Sequence, residues 1–389
     1  MKKLSDRTAG FTDSVIRRMT RISNQYDAIN LSQGFPDFDP PKEITDRLAE
    51  VAGVGPHQYA LTWGAQNFRE ALAKKQEHFY GMTVDPSQEI VVTCGSTEAM
   101  MAAMMSVCNP SDKVVIFSPF YENYGADTIL SGAEPIYVPL KPPAFDFDGN
   151  ELEHAIKQPG VKALILCNPS NPCGKVFTEE ELKVIAELAI KYDIYVITDE
   201  VYEHIIYKPH NHTCIAALPG MRERTIICNS LSKTYSITGW RLGFVIASPE
   251  ITDRVKKVHD FLTVGAAAPL MEAAVVGLKF PDSYYEGLRE HYTHMKNLFT
   301  NGLKDIGLSF TNPQGAYYVL VDISEFGYDD DMLFCEDLAR KVGVGAVPGS
   351  SFFKEPENCY IRFHFAKQDA TLNAALERLA DISCLKYKK

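Results

Sequence analysis

Long hydrophobic runs are missing from this chain. A membrane-spanning helix needs roughly 20 apolar residues, and the apolar stretch Ala99 to Val107 falls well short of that. Positive charge is also scarce: 39 Lys and Arg stand against 50 Asp and Glu, a formal net charge of −11. That balance argues against nucleic acid, whose binding needs a basic surface. The opening Met1-Lys-Lys-Leu-Ser-Asp-Arg has basic residues but no apolar core behind them, so no secretory signal is expected. Nine cysteines, an odd and scattered set, point to free thiols in a reducing cytoplasm rather than a disulfide frame. No Gly-x-Gly-x-x-Gly follows a strand and no Gly-Lys-Ser/Thr closes a loop, which weakens dinucleotide and nucleoside-triphosphate readings. A metal site is not expected either. His204, His210, His212 and Cys214 lack a carboxylate at a telling spacing and lie in a Pro- and Asn-containing loop, which reads as solvated. His291 and His294, three apart on a polar helical stretch, carry still less.

What is present is an ordinary soluble globular composition, 46% hydrophobic and 23% charged. At 389 residues the chain exceeds one compact core, so two domains are expected. Apolar runs at 89–93, 113–118, 162–167, 194–198, 225–228 and 242–247 read as buried strands. Helical stretches at 66–80, 99–107 and 178–192 alternate with them, which predicts an α/β fold with a mainly parallel sheet. The pattern changes beyond Pro249. A helical stretch at 251–263 and a long polar helical region to about residue 303 come first. Strands at 316–321, 345–348 and 360–365 and helices at 332–341 and 370–379 then predict a smaller α+β unit.

Candidate chemistry gathers just after the predicted strands, where open α/β sheets bind ligands. The stretch Cys228-Asn-Ser-Leu-Ser-Lys-Thr-Tyr-Ser-Ile-Thr-Gly-Trp-Arg-Leu-Gly243 places Lys233 and Arg241 on a hydroxyl-rich connection between two strands. A lysine near apolar surroundings has a depressed pKa and can act as an amine nucleophile. An arginine beside serines is a phosphate fork; by residue type alone, a solvated surface pair is the plainer reading. Cys94-Gly-Ser-Thr-Glu98 opens a helix, so Gly95, Ser96 and Thr97 form either a simple cap or an anion site. Asp199 ends a buried strand, where a carboxylate is costly unless paired. Arg362 lies inside an apolar strand and needs an anionic partner, either a fixed carboxylate or a ligand. Ser32-Gln-Gly-Phe-Pro-Asp-Phe-Asp-Pro-Pro41 and Asn168-Pro-Ser-Asn-Pro-Cys-Gly-Lys175 are rigid turns, and either Asn-Pro bond of the second is a candidate cis peptide.

These phrases, in this order from about Asn30 to Lys367, resemble the class I/II aminotransferases of fold type I. The match is nearest to their kynurenine and methionine subgroup. The resemblance implies pyridoxal 5'-phosphate (PLP) as cofactor, with Lys233 bonding it covalently and then serving as general acid/base. It implies Ser230, Ser232, Arg241, Gly95, Ser96 and Thr97 at the phosphate, joined by Tyr59 of the partner subunit in a homodimer. Tyr121 would stack on the pyridine ring, Asp199 would protonate the ring nitrogen, and Asn171 and Tyr202 would bond the phenolic oxygen. Arg362 and Gly34 would hold the substrate carboxylate, with Asn171 beside them. The implied fold is a seven-stranded, mainly parallel large domain, 41–280, and a smaller α+β domain, 1–40 plus 281–389. The implied reaction is ping-pong transfer of an amino group from an L-amino acid to a 2-oxo acid. Dicarboxylate-specific relatives carry a lysine where this chain has Thr97. Tyr59, Trp63, Tyr121 and Phe35 lean toward apolar, aromatic or sulfur-containing donors. The alternative on the same fold is a PLP-dependent carbon–sulfur β-lyase. A PLP-binding DNA regulator is disfavoured, because no helix-turn-helix module fits before Asn30 and the charge is wrong.

Overall fold

The computed structural model describes residues 2–9, 11, 13–355 and 357–386. Helix α1 (Val15–Gln25) leads to β1 (Ile29–Asn30), α2 (Lys42–Val54) and α3 (Gln66–Tyr80). An alternating run follows: β2 (Ile90–Thr93), α4 (Ser96–Val107), β3 (Lys113–Ser118), α5 (Asn123–Leu130), β4 (Glu134–Pro139), α6 (Gly149–Ile156), β5 (Val161–Cys167), α7 (Glu179–Lys191), β6 (Tyr195–Asp199), β7 (Thr225–Ser230) and β8 (Gly243–Ile246). Helices α8 (Pro249–Thr263), α9 (Ala268–Leu278) and α10 (Asp282–Ile306) precede β9 (Tyr318–Asp322), α11 (Asp331–Asp337), β10 (Val344–Gly345), β11 (Val347–Pro348), β12 (Tyr360–His364) and α12 (Asp369–Leu379).

Seven strands form one sheet in the order β2-β8-β7-β6-β5-β3-β4. Only β8 runs against its neighbours; the other pairings are parallel. Parallel strands joined by helical crossovers are covered on both faces, so they read as unbroken apolar runs. That is why β5, β6 and β7 were visible in the sequence, and why the expected mainly parallel α/β sheet is the one found. β9, β11 and β12 form a separate antiparallel sheet, and β1 pairs with β10. Apolar side chains of β9, β12, α10 and α12 fill the core of this second layer.

Four elements differ from the sequence reading. The strand expected at 345–348 is split at Ala346 into β10, which pairs with β1, and β11, which pairs with β12. β7 continues two residues past its apolar run to Ser230, because Asn229 and Ser230 pair with Phe244 and Gly243 of β8. β4 is an edge strand bounded by Pro135 and Pro139 and largely half-exposed, so it shows no apolar signature. The His204–Cys214 loop is solvated only at Lys208, Pro209 and Asn211, while its ends turn inward. His212 and His204 keep only 5% and 7% of their side-chain surface. Charge pairing explains it. His212 Nε2 lies 2.5 Å from Glu200, and Glu203 receives Lys75 Nζ at 2.6 Å and the Tyr80 hydroxyl at 2.5 Å. Burial alone would raise the Glu203 carboxyl, but Lys75 and His204 hold it well below its usual value. Residues 199–203 thus turn two carboxylates into a paired, buried back face and leave Asp199 and Tyr202 for the other side.

Candidate active site

Lys233 sits just beyond the end of β7, in a turn whose next apolar contacts are Leu231 and Tyr235. Its Nζ donates to the Gly34 carbonyl at 3.3 Å and lies 5.6 and 5.8 Å from the ring centroids of Tyr317 and Tyr202. Removal from water lowers its pKa; Arg241 and Arg362 push in the same direction, against Tyr318 and Asp199. Gly34 has no substitute here, since a Cβ would collide with the Tyr317 and Tyr318 side chains. The Tyr317 hydroxyl donates to the same Gly34 carbonyl at 2.8 Å.

Asp199 ends β6 and is buried. Its Oδ2 accepts from the Tyr124 hydroxyl at 2.7 Å and its Oδ1 from the Val201 N–H at 3.3 Å. Burial nevertheless pushes its pKa up to about 6, with Tyr124 and Val201 opposing. Asp127, one turn along α5 from Tyr124, is raised to about 7 by burial and by the Asp199 charge. A protonated nitrogen on the ligand side, donating to Asp199, would relieve this cost.

Arg362 projects from β12 and has no accessible surface. It has no carboxylate partner among the described residues. Nη1 donates to Asn171 Oδ1 at 2.7 Å and Nη2 to the Ser32 carbonyl at 2.9 Å, while Nε has no partner. The guanidinium lies between the Tyr318 and Phe352 rings, 4.2 and 4.5 Å from their centroids. A buried cation held by neutral acceptors and aromatic faces, with its Nε–H unpartnered, is poised for an anion from outside. Asn171 comes from the turn after β5, where both Asn168-Pro169 and Asn171-Pro172 are cis.

A third feature is a cradle at the start of α4. Gly95 has φ +86°, and a Cβ there would strike the Arg241 guanidinium; Gly243 packs with equal closeness on the Gly95 backbone. These two glycines bring Arg241 against the free amides of a helix N-terminus. No side chain caps that terminus. The Ser230 and Ser232 hydroxyls are buried without a partner. Orphaned buried hydroxyls are rare, and here they accompany an arginine and helix amides, the donor set that a phosphate accepts from. Together with the lysine, the buried aspartate and the free arginine edge, the residues present fit PLP.

The structure therefore gathers Gly34, Asn171, Asp199, Tyr202, Lys233 and Arg362 around one space, with Gly95, Ser230, Ser232 and Arg241 at its edge. Ser96 and Thr97 open α4 beside Gly95, and Tyr121 packs edge-on to Tyr124, ring centroids 5.8 Å apart. Two expected residues lie elsewhere. Trp63 packs with the Val91 cluster under Lys256, 4.9 Å from its ring, so the indole belongs to the core rather than to a substrate pocket. Tyr59 is 87% exposed within the single chain. Sequence reasoning missed Tyr124, Tyr317, Tyr318 and Phe352, which look like core aromatics in apolar runs. The one available signal was the doubled Tyr317-Tyr318 directly after Gly315-Ala316. No group of three or more His, Cys, Asp or Glu among the described residues could hold a metal ion.

The family model for aminotransferase class I and II matches residues 26–379. Methionine aminotransferase of Escherichia coli is 36% identical over 370 residues, covering 95% of this chain and 96% of that protein. Human kynurenine–oxoglutarate transaminase 1 is 32% identical over 393 residues, covering 92% and 93%. Among solved structures, N-succinyldiaminopimelate aminotransferase from Mycobacterium tuberculosis superposes with a TM-score of 0.94 at 34% identity, covering 98% of this chain and 100% of that one. With its sheet order, its site and these likenesses in agreement, the chain belongs to the class I and II aminotransferases.

Proposed function

We propose that the space around Lys233 is where this aminotransferase binds PLP and exchanges amino groups, and that its donor is an L-amino acid with an apolar, aromatic or sulfur-containing side chain. The observation that carries the reading is Lys233 itself, an amine with depressed proton affinity beside two phenol rings and a buried arginine without a carboxylate partner. Ser230, Ser232, Arg241, Gly95, Ser96 and Thr97 would hold the phosphate, and Tyr121 would stack on the ring. Asn171 and Tyr202 would bond the phenolic oxygen, and Asp199 would keep the ring nitrogen protonated. When bound, the cofactor supplies an electron sink for negative charge at the substrate Cα. Arg362 forks the α-carboxylate against the Gly34 backbone, exchanging its bonds to Asn171 and Ser32 for that anion. Lys233 Nζ, neutral more readily than an ordinary lysine, takes the proton from Cα and returns it, as a general base needs a pKa near working pH. The side-chain preference is supported by Phe35 and Tyr121 and by the relatives named for methionine and kynurenine.

A homodimer is part of this proposal. Tyr59 and Phe261 are 87% and 90% exposed, with Leu61, Leu262 and Val264 about half exposed beside them. Contact between the two segments is direct, since His259 Nε2 meets the Thr62 carbonyl at 2.9 Å. An exposed apolar patch of this kind marks an interface, and the partner subunit's Tyr59 would there reach the phosphate. A large domain over 41–280 with the remainder as the small domain, and a cytoplasmic location in keeping with nine free thiols, complete the proposal.

Assay of a panel of amino acids with a 2-oxo acid acceptor tests the donor class. Methionine and aromatic amino acids should yield their 2-oxo acids in an acceptor-dependent reaction, faster than aspartate. Pyruvate and ammonia released without acceptor would contradict transfer, and a preference for aspartate would contradict the donor class.

Mixing two inactive or impaired chains tests the shared site. Subunit exchange between Tyr59→Ala and Lys233→Ala proteins should raise activity above the sum of the two, because the hybrid holds one intact site. If Tyr59 serves its own chain, the mixture shows no gain.

Asp199→Asn should cripple turnover. In the cofactor-free protein it should also become progressively more stable than wild type as pH rises from about 4 to about 6, then level off. Asp199 keeps its proton in the fold up to about 6, whereas the unfolded chain releases it near the usual carboxylate value, so the wild type loses stability across that window. The shift corresponds to at most about 3 kcal/mol. Chemical denaturation across pH measures it, and a flat difference would contradict the raised pKa.

A further inference from the structure

Tyr318 touches more of the site than any role above gives it. Its hydroxyl lies 2.9 Å from the Tyr202 hydroxyl, its ring centroid 4.2 Å from Arg362 Cζ, and its oxygen fills the space that a Cβ on Gly34 would take. It is 3% exposed. Neighbouring strand residues normally face opposite ways, yet Tyr317 and Tyr318 both pack on Tyr202, with centroids 5.2 and 5.8 Å away. Ala316 in the left-handed region, φ +56°, turns the chain just before them.

Between two phenols one must donate. Tyr202, in the reading above, spends its proton on the cofactor's phenolic oxygen, so Tyr318 is left as donor to Tyr202. Chained hydrogen bonds polarise one another, and a hydroxyl that accepts becomes a stronger donor. We propose that Tyr318 is a positioning residue with two separable parts: its hydroxyl strengthens Tyr202 as a donor to the cofactor, and its ring fixes the plane of Arg362 for the substrate carboxylate. The proposal rests on the PLP reading of the Lys233 site. Burial pushes the Tyr318 hydroxyl up to about 12, so it keeps its proton at working pH. The titratable groups that face the two phenols are Lys233, Arg362, Tyr317, Tyr121 and Cys167; Asp199, three residues before Tyr202, lies next to Lys233.

The test is a pH titration of the lysine-linked cofactor absorbance in Tyr318→Phe and Tyr318→Leu, with KM for the amino acid measured alongside. Donation to an oxygen favours the deprotonated, more negative form. Losing the Tyr318 hydroxyl should therefore raise the apparent pKa, by about half a unit to one unit for one hydrogen bond. Both variants should show this rise. Only Tyr318→Leu should also raise KM, about three- to tenfold for a lost cation–π face. In a Tyr202→Phe background, Tyr318→Phe should shift the pKa no further. An unchanged pKa in Tyr318→Phe, an equal shift with and without Tyr202, or an equal KM rise in both variants overturns the proposal. Absence of the lysine-linked absorbance in wild type instead overturns the PLP reading beneath it.

Discussion

Three ionisable groups meet in one space, Asp199 and Arg362 buried and Lys233 half-buried, and none is paired directly with another. That constraint governs the rest of the site. Burial of charge is expensive unless compensated, and the compensation here is partial by construction. Lys233 rests on a carbonyl and two rings, Asp199 on one phenol and one amide, and Arg362 on an amide oxygen, a carbonyl and two aromatic faces. A protein optimised for stability alone would pair the aspartate with the lysine or fill the space with apolar side chains. Leaving each group short of a partner keeps it available to a ligand that brings a phosphate, a basic ring nitrogen and a carboxylate.

The sheet makes that arrangement possible. Asp199 ends β6, Asn171 follows β5, Ser230 ends β7 and Lys233 comes three residues later, so adjacent parallel strands deliver their groups to one edge. Antiparallel β8 returns Arg241 and Gly243 to the start of α4. The second sheet supplies what the first lacks: Arg362 from β12 and Tyr318 from β9, with Tyr317 just before the strand and Gly34 laid against both. Behind the edge, Lys75 pairs with Glu203 and His212 Nε2 with Glu200, so the turn carrying Asp199 and Tyr202 is held from its back. Rigid support there and unmet demand in front are complementary.

Much of this could be read in the sequence because reaction chemistry fixes residue type and spacing together. Lys233 with Arg241, Asp199 with Tyr202, and the doubled Asn-Pro turn all fall after apolar runs, and the parallel sheet follows from those same runs. Residues whose role depends on packing left no such mark. Tyr318 and Tyr124 are aromatic residues in or beside apolar strands, indistinguishable from core until Arg362 and Asp199 are placed next to them. Trp63 drew attention only because it lies near Tyr59 in the chain. The His212 loop looked solvated because its Pro and Asn content is that of a turn, while its partner Glu200 sits twelve residues away and is paired through tertiary contact. Tyr59 is exposed in the single chain, and the role proposed for it would need a second copy, which no intrachain contact encodes.

The central claim is that one amine, Lys233, bonds the cofactor. Borohydride reduction of the PLP-loaded protein, followed by peptide mass spectrometry, addresses it directly. The account predicts one pyridoxyl phosphate adduct, located on Lys233; an adduct on another lysine, or none, would contradict it.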